Sequence, residues 1–292
     1  MGDIKRRSRL NAREARAGIA FLLPSLLGFC LFFAVPFVLV IGYTFTRGIG
    51  STQFVGFQNY LDIFDSYAFR LAAWNTFRFL FVSVSLICVT SFFIALGLRK
   101  TKLRLLRPAL IIPLVVPVAA VSVVFQIAFA DGGVLSGLLG VFGLPAQNII
   151  RSDGAFWVLI IFYLWKNIGY TVILFLAGLN GIPQAYYEEA QICGAGAWQQ
   201  TRYITIPCVA PMSFFVFIIA IIRSFSTFRE AYALAGDYPH ESIYMLQHFM
   251  NNNFRNLNYQ RLSVAALLIF IAIFALVFVL YRFKNRLEAH NK

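Results

Sequence analysis

The chain alternates between stretches of about 20 residues without charge and short segments where charge collects. At ~1.5 Å per residue a helix of that length crosses a ~30 Å hydrocarbon core. Six stretches qualify: 18–46, 79–98, 108–130, 155–179, 204–222 and 262–281. The first lies between Arg16 and Arg47 and exceeds the minimum, so it requires tilt or an interfacial start. It is too long for a cleaved signal peptide and continues without an A-x-A-like exit, so it is expected to stay in the mature protein. Pro113 and Pro117 fall inside the third stretch and predict a kink, which membrane helices accommodate when neighbours satisfy the freed carbonyls. The fourth is apolar apart from Lys166 and Asn167 near its middle. The fifth is short and ends at Arg223, and the sixth is bracketed by Arg261 and Arg282.

This pattern predicts an all-α, polytopic membrane protein of six transmembrane helices. A basic tail covers 1–17, the membrane domain 18–283, and a second tail 284–292. The domain includes a polar loop at 180–206 and a long opposite loop at 223–260.

Composition agrees. With 292 residues, 60% hydrophobic and 13% charged, and a mean hydropathy of +0.73, the chain has too little polar surface for a soluble globule. A net charge of +13 would suggest nucleic acid in a soluble protein. Here the cations cluster at the ends of apolar spans, so they are read as topology, and no nucleic-acid partner is expected.

Lys5, Arg6, Arg7, Arg9, Arg13 and Arg16 precede the first span, and Arg99, Lys100, Lys102, Arg104 and Arg107 follow the second. With Arg282, Lys284, Arg286 and Lys292 at the far end, this bias predicts an N-in, C-in orientation. Anchoring to anionic headgroups accounts for the N-terminal cluster. Cys30, Cys88, Cys193 and Cys208 form no CxxC pair, and His240, His248 and His290 lack ligand spacing, so neither disulfide nor metal is expected.

Under this orientation the segment 180–203 is cytoplasmic, yet it has one Arg and is rich in small and acidic residues. Gly181-Ile182-Pro183 precedes Gln184-Ala185-Tyr186-Tyr187-Glu188-Glu189-Ala190-Gln191-Ile192-Cys193, a helix after a proline start. Gly194 and Gly196 permit a sharp turn, Trp198 to Tyr203 resume helix, and Pro207 and Pro211 mark entry into the fifth span. A helix, a flexible corner and a second helix make a lever that can carry motion from a cytoplasmic partner into the membrane.

The loop resembles that of ABC importer permeases, whose pattern is E-A-A, three residues, Gly, nine residues, Ile, one residue, Leu-Pro. Glu188-Glu189-Ala190 is followed at that spacing by Gly194, Ile204, Ile206 and Pro207. Sugar-type members read Ile-Asp-Gly-Ala where this chain has Ile192-Cys193-Gly194-Ala195. Glu189 stands in place of the first Ala, and Cys193 in place of Asp. Phe21-Leu22-Leu23-Pro24, Phe54-Val55-Gly56-Phe57-Gln58-Asn59-Tyr60, Asn75-Thr76 and Ala177-Gly178-Leu179-Asn180-Gly181-Ile182-Pro183 match in the same order. The resemblance covers nearly the whole chain and is strongest for carbohydrate importers of the maltose and glycerol-phosphate type.

That resemblance implies a type I importer permease of the bacterial plasma (inner) membrane, multi-pass in the lipid bilayer. The implied partners are a second homologous permease in a heterodimer, two ATPase subunits and an extracytoplasmic solute-binding protein. The implied coupling residues are Tyr187, Glu188, Glu189, Ala190, Gly194, Ala195, Ile204 and Pro207. The chain contains no G-x-x-x-x-G-K-[ST] phosphate loop. It is expected to be no enzyme and to hold no cofactor, with ATP and magnesium on the partner ATPases.

For the solute path, Lys166 with Tyr163, Asn167 and Tyr170 would line a polar, aromatic cavity suited to sugars. Equally, Lys166 would bond neighbouring carbonyls and Asn167 would tie helices together. The stretch after Arg223, with Tyr232, Asp237, His240 and Glu241, is expected to meet the binding protein or to be a solvated connector. A secondary transporter or channel working alone is the competing reading.

Overall fold

The computed structural model describes residues 17–48, 53–99, 106–141 and 148–290. The basic residues Lys5, Arg6, Arg7, Arg9, Arg13, Arg16, Lys100, Lys102, Arg104 and Lys292 lie outside them, and so does nearly all of the 1–17 tail. Among the described residues five helices are long and apolar enough to cross a membrane: Ala17–Thr44, Tyr67–Arg99, Ala155–Asn180, Ala197–Ala235 and Tyr259–Arg282.

The expected span at 108–130 is not one helix. It breaks into turns at Leu106–Ala109 and Ile112–Val115, followed by a helix at Val118–Phe129. The two prolines are the cause. Pro113 lies in the first turn of one piece, where its missing N–H costs nothing, and Pro117 caps the next piece with an extended ψ of 132°. Each proline therefore starts a helix instead of kinking one. The remaining 12-residue piece is only about 18 Å long at the usual rise.

The chain forms two compact units. The first joins the described residues up to Asp65 with Asn253–Ala272. It holds α1 (Ala17–Thr44), a two-residue antiparallel pair, β1 (Thr46–Arg47) with β2 (Gln53–Phe54), and α2 (Gln58–Phe64). Asn59 on α2 donates from Nδ2 to the carbonyls of Thr44 (3.0 Å) and Thr46 (2.9 Å), fixing α2 on the end of α1. Arg47 and Asp62 pair across the same corner.

The second unit joins Ser66–Asn252 with the residues from Ile273 onward. Its frame is α3 (Tyr67–Arg99), α4 (Val118–Phe129), α5 (Ala155–Asn180), α6 (Gln184–Ile192), α7 (Ile206–Phe225), α8 (Phe228–Ala235) and α9 (Leu246–Arg255). The last helix, α10 (Tyr259–His290), enters both units. Helices α3, α5 and α7 pack together around two apolar layers. One contains Phe79, Ile87, Phe156, Leu159, Tyr163 and Ile221. The other contains Ala95, Val172, Phe175, Leu179, Val209 and Val216. Small residues set the approach, as is usual where lipid removes the hydrophobic drive between helices. A Cβ on Gly169 would fall 1.6 Å from the Leu110 carbonyl oxygen, so only glycine lets the proline-broken segment lie against α5.

Two π-helical turns have a common origin. Cys30–Ala34 precedes Pro36, and Thr201–Thr205 precedes Pro207. Proline cannot donate to the carbonyl four residues back. In each case the chain widens beforehand, so that the N–H of Val35 or Ile206 reaches back five residues, to Cys30 or Thr201.

Candidate functional site

The segment between α5 and α7 has the predicted helix, corner and helix. Pro183 caps α6, which ends at Ile192, and Gly194 follows in the left-handed region at φ +80°. Its N–H donates to the Gln191 carbonyl (2.9 Å), and the Ala195 N–H donates to the Ala190 carbonyl (2.9 Å), closing the helix end as glycine stops do. Nothing lies within 4 Å of a Cβ at Gly194, so conformation alone makes this a glycine position. Gln199 bonds the Gly196 N–H (2.8 Å) and opens the next turn.

Tyr187 ties this loop to the membrane helices through its hydroxyl. Tyr187 is buried under α6, and its hydroxyl accepts from Arg99 Nη1 at the end of α3 (2.8 Å). It also shares a hydrogen bond of 2.9 Å with the hydroxyl of Thr205, in the π turn leading into α7. The Arg99 guanidinium carbon lies 4.7 Å from the Tyr187 ring centroid. α6 is therefore joined to the ends of both α3 and α7. Most of the residues named beside Tyr187 face outward. Glu188 and Glu189 are exposed and Ala190 and Ala195 partly so, while Ile204 packs against the inner apolar layer and Pro207 is exposed at the start of α7. Tyr186, Ile192, Trp198 and Tyr203 are exposed as well.

The intramembrane candidates do not all come together. Lys166, Asn167 and Tyr170 line a cavity of about 480 Å³ between α5, α7 and α8. Tyr163 does not. Its ring is fully buried against Phe79, and its hydroxyl donates to the Ala220 carbonyl (3.1 Å), so it is a packing residue of the core.

Lys166 Nζ bonds Glu230 Oε1 at 2.6 Å, with 11% and 6% of the two side chains exposed. Its partner is a carboxylate from another helix, not a neighbouring carbonyl. Asn167 donates from Nδ2 to the Tyr163 carbonyl (2.9 Å) and accepts from Arg223 Nη1 (3.1 Å), and the Arg223 guanidinium carbon sits 4.2 Å from the Tyr170 ring centroid.

Glu230, Arg223 and Arg229 were missed as cavity residues because the fifth stretch was ended at Arg223. The chain instead turns at Ser226-Thr227 and continues as α8 to Ala235, still packed on α4 and α5. Gln126 of α4 holds its end, donating to the carbonyls of Ala233 (3.0 Å) and Leu234 (2.9 Å). The available signal was the acid Glu230, which follows Arg229 and opens the run Ala231-Tyr232-Ala233-Leu234-Ala235, 64 positions from Lys166. The expected loop at 223–260 is thus largely helical. Asn75 bonds the carbonyls of Glu241 and Tyr244, and Thr76 accepts from the Leu246 N–H (3.0 Å), so the Asn-Thr pair on α3 ties that stretch down.

His248 on α9 lies fully buried beside the Phe228 ring, 4.9 Å between centroids, and its Nδ1 accepts from the Met245 N–H (3.2 Å). Burial pushes its pKa down to about 4.

A family model for binding-protein-dependent transport system inner membrane components matches residues 87–290. The chain is 30% identical over 239 residues to the trehalose/maltose transport system permease protein MalF of Thermococcus litoralis, covering 80% of this chain and 81% of that one. It is 28% identical over 221 residues to the arabinooligosaccharides transport system permease protein AraP of Bacillus subtilis, covering 73% and 70%. Its fold is similar to a chain in the crystal structure of a bacterial alginate ABC transporter in complex with alginate pentasaccharide-bound periplasmic protein. That match has a TM-score of 0.80 at 20% identity and covers 95% of this chain and 96% of the other. The chain belongs to the family of binding-protein-dependent transport system inner membrane components.

Proposed function

We propose that this chain is a membrane permease subunit of an ABC importer that carries a saccharide or related small polar solute into the cell. It works with a second homologous permease, two ATPase subunits that carry ATP and magnesium, and an extracytoplasmic solute-binding protein. The observation that carries this reading is the loop at 180–206. Its helix α6 is braced from beneath by Tyr187, Arg99 and Thr205, while Glu188, Glu189 and Ile192 face outward. A connector with no partner has no need of so firm an anchorage beneath an acidic and apolar face. The oligosaccharide cargoes named for two relatives support a carbohydrate solute.

In this reading the loop and both chain ends are cytoplasmic, in a bacterial inner membrane. Closure of the ATPases pushes α6, and the Tyr187 bonds pass that displacement to α3 and α7 together. The solute crosses beside Lys166, Asn167 and Tyr170. Replacing Gly194 with Val costs about 1–2 kcal/mol through the left-handed backbone alone. It is expected to reduce both ATPase co-purification and coupled uptake, with the chain still inserted. Normal uptake and normal recovery of the ATPase with the variant would refute the role of the corner. Solute flux through the isolated chain would favour a transporter working alone.

A further inference from the structure

The cavity between α5, α7 and α8 is electrically unbalanced. Its lining includes three cations, Lys166, Arg223 and Arg229, and one carboxylate, Glu230. Glu230 is engaged by Lys166 at 2.6 Å, in a nearly buried pair. Arg223 and Arg229 therefore face the same space with no carboxylate bonded to either among the described residues. Arginine keeps its proton at any working pH, and a guanidinium at membrane depth is costly unless it meets water or an anion.

Arg223 is also held in place. Its Nη1 donates to Asn167 Oδ1 (3.1 Å), and its guanidinium carbon stands 4.2 Å from the centroid of Tyr170. Asn167 and Tyr170 lie three residues apart on one face of α5, and Asn167 is itself fixed by its bond to the Tyr163 carbonyl. Both partners of Arg223 are neutral. They orient the planar fork without cancelling its charge. An arginine satisfied by water alone needs no such clamp, whereas a pre-set fork suits two-point bonding to a carboxylate or phosphate. The cavity, about 480 Å³, is within the range of small-molecule sites.

We propose that the transported solute bears an acidic group, carboxylate or phosphate, and that Arg223 is the residue that selects it, with Arg229 adding to the field. This inference rests on the proposed saccharide import and on this cavity lying along the path. A neutral sugar would leave both guanidiniums without a counter-charge as water is expelled around it.

The test uses the complete importer, with its second permease, ATPases and binding protein, in proteoliposomes holding ATP on the ATPase side. The outer solution contains a mixed set of neutral, uronate-bearing and phosphorylated mono- to tetrasaccharides, and mass spectrometry reads what accumulates inside. Acidic species are expected to accumulate at least about ten-fold faster than neutral ones of equal length, the difference made by one charge-assisted bond of about 1.4 kcal/mol. Whether uronates or phosphates lead identifies the group.

Arg223→Gln is expected to cut acidic uptake about ten-fold, and Arg223→Lys, which keeps the charge but loses the planar fork, to restore only part of it. Arg229→Gln is expected to lower it by about two- to three-fold, as a weaker long-range term. Binding-protein-stimulated ATP hydrolysis shows that each variant complex is intact. If Arg223→Gln does not assemble, wild-type selectivity decides by itself. Preference for neutral saccharides, or unchanged selectivity in an assembled Arg223→Gln complex, overturns the inference. Such a result would mean that the second permease neutralises the cavity. Accumulation of no saccharide of any class overturns the saccharide reading beneath it.

Discussion

The loop around α6 and the cavity beside α5 are both polar, but they are built by opposite means. The loop is continuous in sequence: a helix, a glycine corner and a second helix within 180–206, with Tyr187 as the buried residue of α6 and an outward face beside it. The cavity takes Lys166, Asn167 and Tyr170 from one helix and Arg223, Arg229 and Glu230 from two others. The loop is therefore set by residues close together in the chain, while the cavity holds only as long as three helices keep their spacing. An outward-facing loop of this kind can be encoded locally. A charge placed in the membrane has to be met from another helix.

The largest effect that would sharpen this contrast concerns the buried pair. Glu230→Gln removes the counter-charge of Lys166 in a site where breaking a pair costs about 3–5 kcal/mol. A marked drop in the melting temperature of the purified chain is expected, and Lys166→Met with Glu230→Gln together should recover much of it. Lys166→Met alone is a poor probe of the solute path, because it strands Glu230. If the single and double variants melt alike, the pair does not organise the cavity.

Acid should also act on the cavity side. The folded His248 has its pKa lowered to about 4 from 6.5. The unfolded chain therefore takes up the proton first as pH falls, and the stability present above 6.5 is lost down toward 4, on the order of 3 kcal/mol in all. His248 lies against Phe228, at the start of α8. Hydrogen exchange at pH 4.5 should accelerate in α8 and α9 before α6. Uniform acceleration would remove this distinction.

Tyr187→Phe is expected to cost about 1 kcal/mol, because the Arg99 guanidinium loses a 2.8 Å acceptor in a partly buried setting. Coupling of ATP hydrolysis to uptake should fall while cavity selectivity is preserved. Loss of selectivity instead would show that loop and cavity are not separable. The smallest effect belongs to Glu188→Gln. That side chain is exposed, so the melting temperature should hardly move, within about 0.5 kcal/mol. Retention of the ATPase on washing should nonetheless decline.

Most of the helical frame was legible because its signal is linear. A stretch such as 155–179 has nowhere to go but across a membrane, and it is found as α5, Ala155–Asn180. Where prolines intervene, hydropathy misleads. The stretch at 108–130 is apolar throughout, yet Pro113 and Pro117 each start a new helix, and hydropathy does not register backbone N–H groups. The stretch ending at Arg223 misleads in the opposite sense. A charge marks the end of a span only when it has no partner inside, and Arg223 rests on Asn167 and Tyr170.

The sequence by itself determined that the chain is a predominantly helical membrane protein, and the spacing from Glu188 to Pro207 pointed to its family. Those properties depend on composition and on residues near one another along the chain, where covalent distance fixes the geometry. Only the tertiary structure decided that Tyr163 is packing while Asn167 and Tyr170 clamp an arginine. It also decided that Lys166 belongs with Glu230 and that Tyr187 reaches both Arg99 and Thr205. Each of these depends on which face one helix turns to another, and packing sets that face.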